Sequence, residues 1–184
     1  MYSQVYFHPV RRIYDIHLRD FLKDWLHNGY YTTSTEEHMQ LTDIEVLAAM
    51  RKAERDPSHT GHIHARRIIG REHFKKIYSR TPKDADLNPE AGKQVFKALC
   101  DKFGPEYIRH DRYTQHGEAP NFPVLLADGN LEWSLAKSEV LSRLPVVNID
   151  FVFTDRCIYN KAAMWLKQHH EKIIQPKIEV ENNG

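Results

Sequence analysis

The sequence predicts an α+β fold, in which a helical N-terminal lobe led by a long central helix precedes a small antiparallel sheet with flanking helices. Three observations support this prediction. Apolar residues recur with helical spacing from residue 2 to residue 26, and helical segments with capping signals follow. The segments with alternating apolar residues and turn signals all follow residue 104. The 184 residues, 41% apolar and 28% charged, have the composition of a globular protein with its own core.

The opening segment predicts the central helix, which is expected to end near Asn28-Gly29. Its apolar residues are Tyr2, Val5, Tyr6, Val10, Ile13, Tyr14, Leu18, Phe21, Leu22, Trp25 and Leu26. They recur roughly every four positions, and because each residue turns about 100°, the apolar stripe winds around the helix. We therefore expect different neighbours to pack against this helix along its length. Pro9 is expected either to kink it or to occupy the first turn of its continuous part.

Further helices are predicted to complete this lobe. Thr42-Asp43-Ile44-Glu45 matches a capping box and predicts a helix over 43–55. Asp56-Pro57 predicts the start of the next helix, with the proline at its first position. The apolar side of that helix is expected to hold Ile63, Ile68 and Ile69. Residues 81–89 are polar and contain two prolines, so they are interpreted as a hinge between lobes.

The second lobe is predicted to contain the sheet and its flanking helices. Strands are predicted over 107–113, 122–127 and 146–153, and Asp128-Gly129 predicts a turn after the second. Helices are predicted over 90–103, from Ser134 or Leu135 to Leu144, and over 160–174. The predicted organisation is a helical lobe over 1–80, an α+β lobe over 89–174 and a flexible tail over 175–184.

Composition and charge exclude several classes of partner and location. A net charge of +1 with histidine neutral gives no electrostatic footprint for nucleic acid, so nucleic-acid binding is not expected. No apolar run has the length of a membrane span and no signal peptide is visible, so no membrane partner is expected. Cys100 and Cys157 form no metal-like or redox-like pair and are interpreted as reduced thiols of a cytoplasmic protein.

Twelve histidines make metal sites worth considering, but the spacing favours structural roles. His59, His62 and His64 lie close together, yet no cysteine or carboxylate stands at ligand spacing beside them. A polar helix start is the favoured interpretation, and a metal site is the alternative. His17 falls on the apolar side of the first helix, where a satisfied core histidine is expected. His110-Asp111 lies in a predicted strand without partner ligands and is interpreted as a solvated pair near a sheet edge.

Residues 1–8 read Met-Tyr-Ser-Gln-Val-Tyr-Phe-His, and this segment resembles the one that follows the catalytic core of HD-superfamily metal-dependent phosphohydrolases. These include dNTP triphosphohydrolase-like enzymes and the related SAM-and-HD-domain dNTPase. Later segments agree in order: Leu41-Thr42-Asp43, Glu45-Val46-Leu47, Ala65-Arg66-Arg67-Ile68-Ile69 and Phe74-Lys75-Lys76-Ile77-Tyr78. The closing region, with a Pro-Val strand, an Asp-Gly turn and a Ser-x-x-Leu helix, extends the resemblance to about residue 166.

The resemblance implies the C-terminal portion of such an enzyme, without the HD metal-binding core. The full-length protein would hydrolyse deoxynucleoside triphosphates or related phosphoesters with a divalent metal such as Mg²⁺ or Mn²⁺, since such an ion polarises a phosphoryl group and activates water. The family's ligands lie upstream of the opening segment, so no catalytic or metal-ligating residue is expected in this chain. The chain would supply pocket-wall and interface residues of a homo-oligomer and be inactive alone.

The resemblance also implies roles for four residues. Tyr6 and Phe7 would lie at the substrate pocket, and His8 and Lys75 would help to hold a regulatory nucleotide between subunits. Pro9 departs from the lysine that the family commonly has at this position, and it offers neither charge nor a backbone donor. The structural alternatives are that Tyr6 belongs to the core and that His8 caps or packs. The alternative function is a stand-alone, non-catalytic interaction or oligomerisation module.

Overall fold

A computed structural model describes residues 5–114, 121–139 and 148–175 and has an α+β fold, which confirms the predicted class. Helices of the described residues are Pro9–Trp25 (α1), Thr35–Gln40 (α2), Asp43–Arg55 (α3), His62–Ile69 (α4), Pro82–Leu87 (α5), Ala91–Phe103 (α6), Ser134–Lys137 (α7) and Tyr159–Ile174 (α8). The strands are Lys75–Ser79 (β1), Ile108–Thr114 (β2), Pro123–Leu125 (β3), Leu131–Trp133 (β4) and Asn148–Thr154 (β5). One sheet has the order β1-β5-β2, and β3 pairs with β4.

The chain divides into two compact units, which we describe separately. The first comprises Met1–Asp111 and Phe151–Gly184, and the second comprises Arg112–Asp150. The first unit therefore contains α1 to α6, β1 and α8, and the second contains β3, β4 and α7. The lobes predicted over 1–80 and 89–174 stay a prediction. The predicted tail beyond residue 175 lies outside the described residues.

Helix α1 begins at Pro9, whose fixed φ suits the first helical position, so the first-turn alternative for this proline is confirmed. The helix ends at Trp25 and is followed by a turn in which Asn28 (φ 54°) and Gly29 (φ 75°) adopt left-handed conformations. Its buried residues are Ile13, Ile16, His17 and Phe21. Different partners contact it in sequence, from Asp111 of β2 at Arg12 to Phe74 at His17 and the α3–α4 core at Phe21.

The helical core of the first unit lies between α1, α3 and α4, and its buried residues are Phe21, Met50, Ala53 and Ala65. The helix predicted from Asp56-Pro57 begins only at His62. Asp56 Oδ1 accepts hydrogen bonds from the Ser58 amide and hydroxyl (2.9 and 2.6 Å), and this Asx-type turn competes with the helix. Ile63, predicted to lie on the apolar side of this helix, is 60% exposed, and the buried residue of α4 is Ala65.

The second core of this unit lies between the sheet and helices α6 and α8. Its buried residues include Tyr78, Val95, Leu99, Ile108, Val152, Ala162 and Leu166. Strand β1 was not predicted, and it pairs antiparallel with β5 from Lys75 opposite Thr154 to Ser79 opposite Phe151. The predicted hinge over 81–89 contains α5 instead, whose start has a capping box between Thr81 and Asp84.

The second unit contains a hairpin in which β3 and β4 pair antiparallel. The predicted turn at Asp128-Gly129 is confirmed, with Gly129 at φ 83°. The cross-strand pair Leu125 and Leu131 is 70% and 69% exposed. Helix α7 is shorter than predicted as far as it is described, and residues 140–144 of the predicted helix lie outside the described residues.

Candidate functional site

The structure places Tyr6, Phe7 and His8 in the turn that leads into α1. The Tyr6 ring is half exposed, and its centre lies 5.5 Å from the Arg11 guanidinium. The centre of the Phe7 ring lies 5.9 Å from the Arg12 guanidinium. His8 is the N-cap of α1, where its Nδ1 accepts the Val10 amide N–H at 3.3 Å. His8 therefore caps α1, which was the structural alternative for this residue. Because Nδ1 is an acceptor, the ring proton lies on Nε2, which can donate to another partner.

Lys75 lies exposed at the first position of β1, with Nζ 5.1 Å from the centre of the Tyr159 ring. Its neighbour Phe74 donates its amide N–H to His17 Nε2 at 3.3 Å. His17 follows His8 by nine residues, so about 13 Å of helix separates this contact from the N-terminal turn. Within one chain, Lys75 therefore follows a residue that contacts α1 well away from the turn that holds Tyr6, Phe7 and His8.

The His110-Asp111 pair is not solvated, which corrects the sequence interpretation. Both Asp111 oxygens accept hydrogen bonds from Arg12, from Nε and from a terminal nitrogen, each at 2.7 Å. Asp111 is only 8% exposed. His110 stacks on the Phe96 ring, with the ring centres 5.3 Å apart. The Arg12 guanidinium occupies both Asp111 oxygens, so Arg12 and Asp111 form a bidentate contact that anchors α1. His110-Asp111 is therefore not a metal site.

The three close histidines of the sequence do not converge on one point. His59 Nδ1 accepts the Gly61 amide N–H at 3.2 Å, and His62 Nδ1 lies 2.9 Å from the Ala53 carbonyl oxygen. His64 turns towards α1 instead. The metal-site alternative for this trio therefore fails, and the polar start of α4 explains the first two residues.

His64 instead meets His17 and Asp20, and ligand-capable atoms of these three side chains all lie within 4.8 Å of one another. His17 is fully buried. Its Nδ1 and that of His64 are buried, and neither has a hydrogen-bond partner in the part of the chain that the structure describes. His64 Nε2 lies 3.7 Å from an oxygen of Asp24. We call His17, Asp20 and His64 the histidine–aspartate cluster.

Burial and neighbouring cations keep both imidazoles of the cluster neutral. Burial, and after it the Arg67 guanidinium, lower the pKa of His17 to about 3. Burial also lowers the pKa of His64, with Arg67 acting in the same direction and the Asp20 carboxylate opposing it. At neutral pH both rings therefore have one protonated and one bare nitrogen, as metal ligands and hydrogen-bond relays require.

The cluster was missed from the sequence although one signal was present. His17 and Asp20 are three residues apart and share a helix face. The third member could not be assigned, because the expected start of α4 at residues 56–57 placed His64 wrongly relative to the core. His17 was expected to be a satisfied core histidine, but within residues 5–114, 121–139 and 148–175 only its Nε2 has a partner.

Comparison with known families decides where this fold belongs. Residues 1–99, more than half of the chain, match the family described as the HD associated region. The chain belongs to the HD associated region family. The resemblance predicted from the opening segment is thereby confirmed, and all four residues to which it gave a role lie inside the matched part.

Two solved structures share the fold of this HD associated region. A hypothetical protein from Aquifex aeolicus superposes with a TM-score of 0.69 and 28% identity, over 90% of this chain and 42% of its own. A phosphohydrolase from Bacteroides thetaiotaomicron superposes with a TM-score of 0.52 and 17% identity, over 85% of this chain and 47% of its own. The chain thus spans less than half the length of either protein. No curated protein matches it.

Two further expectations can be compared with the structure of this HD associated region. Cys100 is partly buried and Cys157 is exposed, and both are free thiols. Among the helices of the described ranges, none is long and apolar enough to cross a membrane.

Proposed function

We propose that this HD associated region belongs to a metal-dependent HD phosphohydrolase that hydrolyses deoxynucleoside triphosphates or related phosphoesters. The family match over residues 1–99 is the observation that carries the proposal. The phosphohydrolase name of one protein with the same fold agrees with it. The catalytic divalent metal would be held by histidines and aspartates outside this chain, as the family resemblance implies, and Asp111 of the His110-Asp111 pair is already bound to Arg12.

The N-terminal turn of α1 is suited to one wall of a nucleotide pocket. Tyr6 offers a half-exposed ring and a phenol, and Phe7 offers a second ring against which a base can pack. Arg11 and Arg12 lie beside these rings, so a guanidinium is within reach of phosphate oxygens. Because Arg12 is bound to Asp111, Arg11 is the more available cation of the two.

The proposed regulatory role rests on His8 and Lys75, which are both exposed. The Nε2–H of His8 and the ammonium of Lys75 are donors that suit phosphate oxygens. In a homo-oligomer these two residues would face a nucleotide at a subunit interface. Pro9 supplies no cation there, so binding at this regulatory site is expected to be weaker than at the pocket of Tyr6.

The proposal is tested by comparing the 184-residue chain with the longest gene product that contains it. The longer product is expected to carry an upstream His…His-Asp…Asp pattern and to hydrolyse dNTPs with Mn²⁺, whereas this chain shows no turnover. In the longer product, Tyr6→Ala should lower kcat/KM by at least about tenfold through lost packing and hydrogen bonding. Tyr30→Ala, at another exposed tyrosine, is the matched control.

Two results would overturn the proposal. One is chelator-sensitive hydrolysis by the 184-residue chain alone, which would mean that a catalytic metal site lies within it. The other is a genuine start codon at Met1 with no upstream reading frame. That second result would favour the stand-alone interaction module.

A further inference from the structure

We propose that the histidine–aspartate cluster of His17, Asp20 and His64 is a binding site for one divalent transition-metal ion of the Zn²⁺ or Co²⁺ class. This inference is independent of the phosphohydrolase function. It rests on the geometry of three side chains that two helices bring together, α1 for the first two and α4 for the third.

The spacing of the ligand-capable atoms is close to that of a tetrahedral site. Ligands at about 2.0–2.2 Å from a tetrahedral ion lie about 3.4 Å from one another. The atoms of the cluster lie within 4.8 Å of one another, so closure needs movements of at most roughly 1.5 Å, within reach of small side-chain rotations. Three protein ligands leave the fourth position for water or another ligand.

The two Nδ1 atoms are the strongest indication that the cluster takes a ligand. His17 is fully buried, and among the described residues neither its Nδ1 nor the buried Nδ1 of His64 has a hydrogen-bond partner. Buried polar atoms are nearly always paired, so two such nitrogens beside one carboxylate require an explanation. A metal ion would supply the missing partner to both.

Asp24 favours the tautomer of His64 that can bind a metal ion. Its carboxylate oxygen lies 3.7 Å from His64 Nε2, so the ring proton is favoured on that nitrogen and the buried Nδ1 keeps the lone pair that a metal ion needs. A carboxylate behind a ligating histidine is the usual arrangement at metal sites, where it fixes the tautomer and the ring orientation.

His17 must change its tautomer when the ion binds, and this change links the site to β1. Its Nε2 accepts the Phe74 amide N–H, so the neutral metal-free ring carries its proton on Nδ1. Binding of the ion at Nδ1 moves that proton, through solvent, to Nε2, and the ring remains neutral. The hydrogen bond from Phe74, a single 3.3 Å contact, is then lost, whereas three coordinate bonds to the ion are formed.

The neighbouring charges and the types of ligand atom together determine which ion the cluster can bind. Arg109 lies 3.4 Å from one Asp20 oxygen and the exposed Arg19 lies 3.7 Å from the other, so both contacts are longer than the two 2.7 Å bonds that occupy Asp111. Arg67 lies 3.6 Å from Asp155 and is partly compensated there. Mg²⁺ and Ca²⁺ require several oxygen ligands, which this site does not offer among the described residues. Imidazole nitrogens suit Zn²⁺, Co²⁺, Ni²⁺ and Cu²⁺, which tolerate a single carboxylate.

The test uses the tag-free 184-residue chain, stripped with chelator and then titrated with Co²⁺ and, in competition with a chromophoric chelator, with Zn²⁺. We expect one ion per chain and the visible absorption of tetrahedral Co²⁺. His64→Gln should weaken binding at least about 100-fold, and Asp24→Asn about tenfold, as is usual for a residue that orients a metal ligand. His38→Gln removes an exposed histidine elsewhere and should leave binding unchanged.

Nuclear magnetic resonance gives a second readout that does not depend on the variants folding. Zn²⁺ should shift the Phe74 amide resonance and move the His17 ring proton from Nδ1 to Nε2. The inference is overturned by absence of binding, by wild-type affinity in His64→Gln, or by a His17 tautomer that does not change with Zn²⁺. Absence of binding would leave a bridging water as the occupant of the cluster, and either of the other two results would place the ion elsewhere in the chain.

Discussion

The bidentate contact between Arg12 and Asp111 is expected to be among the strongest single stabilising contacts of α1. We predict that Arg12→Met destabilises the chain by about 2–4 kcal/mol. Two 2.7 Å bonds join the pair, and Arg12 and Asp111 are 24% and 9% exposed at their side chains. Removing one partner of a buried pair costs about 3–5 kcal/mol because it leaves a buried charge uncompensated. Partial exposure of the guanidinium lowers this figure somewhat.

The assay is urea unfolding of the 184-residue chain at pH 7.5, followed by circular dichroism. Asp111→Asn and the double variant complete a thermodynamic cycle, for which we expect a coupling energy of about 1.5–3 kcal/mol. Arg12→Lys keeps the charge but loses the fork geometry and should recover only part of the stability. Arg11→Met is the matched control, because the Arg11–Asp15 pair is half exposed at 4.0 Å.

The control is expected to change stability by less than about 0.5 kcal/mol. If Arg12→Met and Arg11→Met have the same unfolding free energy, the burial argument for this pair is wrong. A changed m-value would instead indicate that the substitution altered the compactness of the unfolded or native state.

Three further predictions follow from other parts of the chain. With chelator present, the free energy of unfolding should fall as the pH decreases below 6.5. The reason is that His17 has a pKa of about 3 in the folded chain and about 6.5 when unfolded, so the unfolded state binds the extra proton. From pH 7.5 to pH 5 this one group contributes a loss of about 2 kcal/mol, and His17→Gln should remove that share of the pH dependence in urea titrations. Gly61→Ala should cost about 1–3 kcal/mol through overpacking, since its Cβ would lie 2.8 Å from the Phe21 ring, and an unchanged thermal midpoint would refute this contact. The exposed hairpin pair Leu125 and Leu131 should promote self-association in sedimentation velocity, and Leu131→Asp should weaken it, whereas a strictly monomeric wild-type chain would contradict the prediction.

Local signals predicted much of the fold correctly. The capping box at Thr42 and Glu45 gave the observed bounds of α3, and Pro9 marked the first turn of α1. The last helix was predicted to within one residue of its observed start at Tyr159. In each case the information lies within about one helical turn of sequence.

The errors lie where distant residues decide the structure. β1 is a strand because β5, more than 70 residues later, pairs with it, and nothing within 75–79 indicates that partner. Asp111 looked solvated because its partner Arg12 is 99 positions away. The histidine–aspartate cluster needed the correct register of α4 against α1, which depends on packing of Phe21 against Gly61.

The pairing of β1 with β5 also has a consequence for biosynthesis. The family match ends at residue 99, but the first compact unit is completed only by residues after 150. Until the ribosome has delivered β5, β1 lacks the partner described here, and such an unpaired edge invites association with other chains. A nascent or truncated product that stops after α6 is therefore expected to depend on chaperones, and folding of the first unit should follow translation of α8.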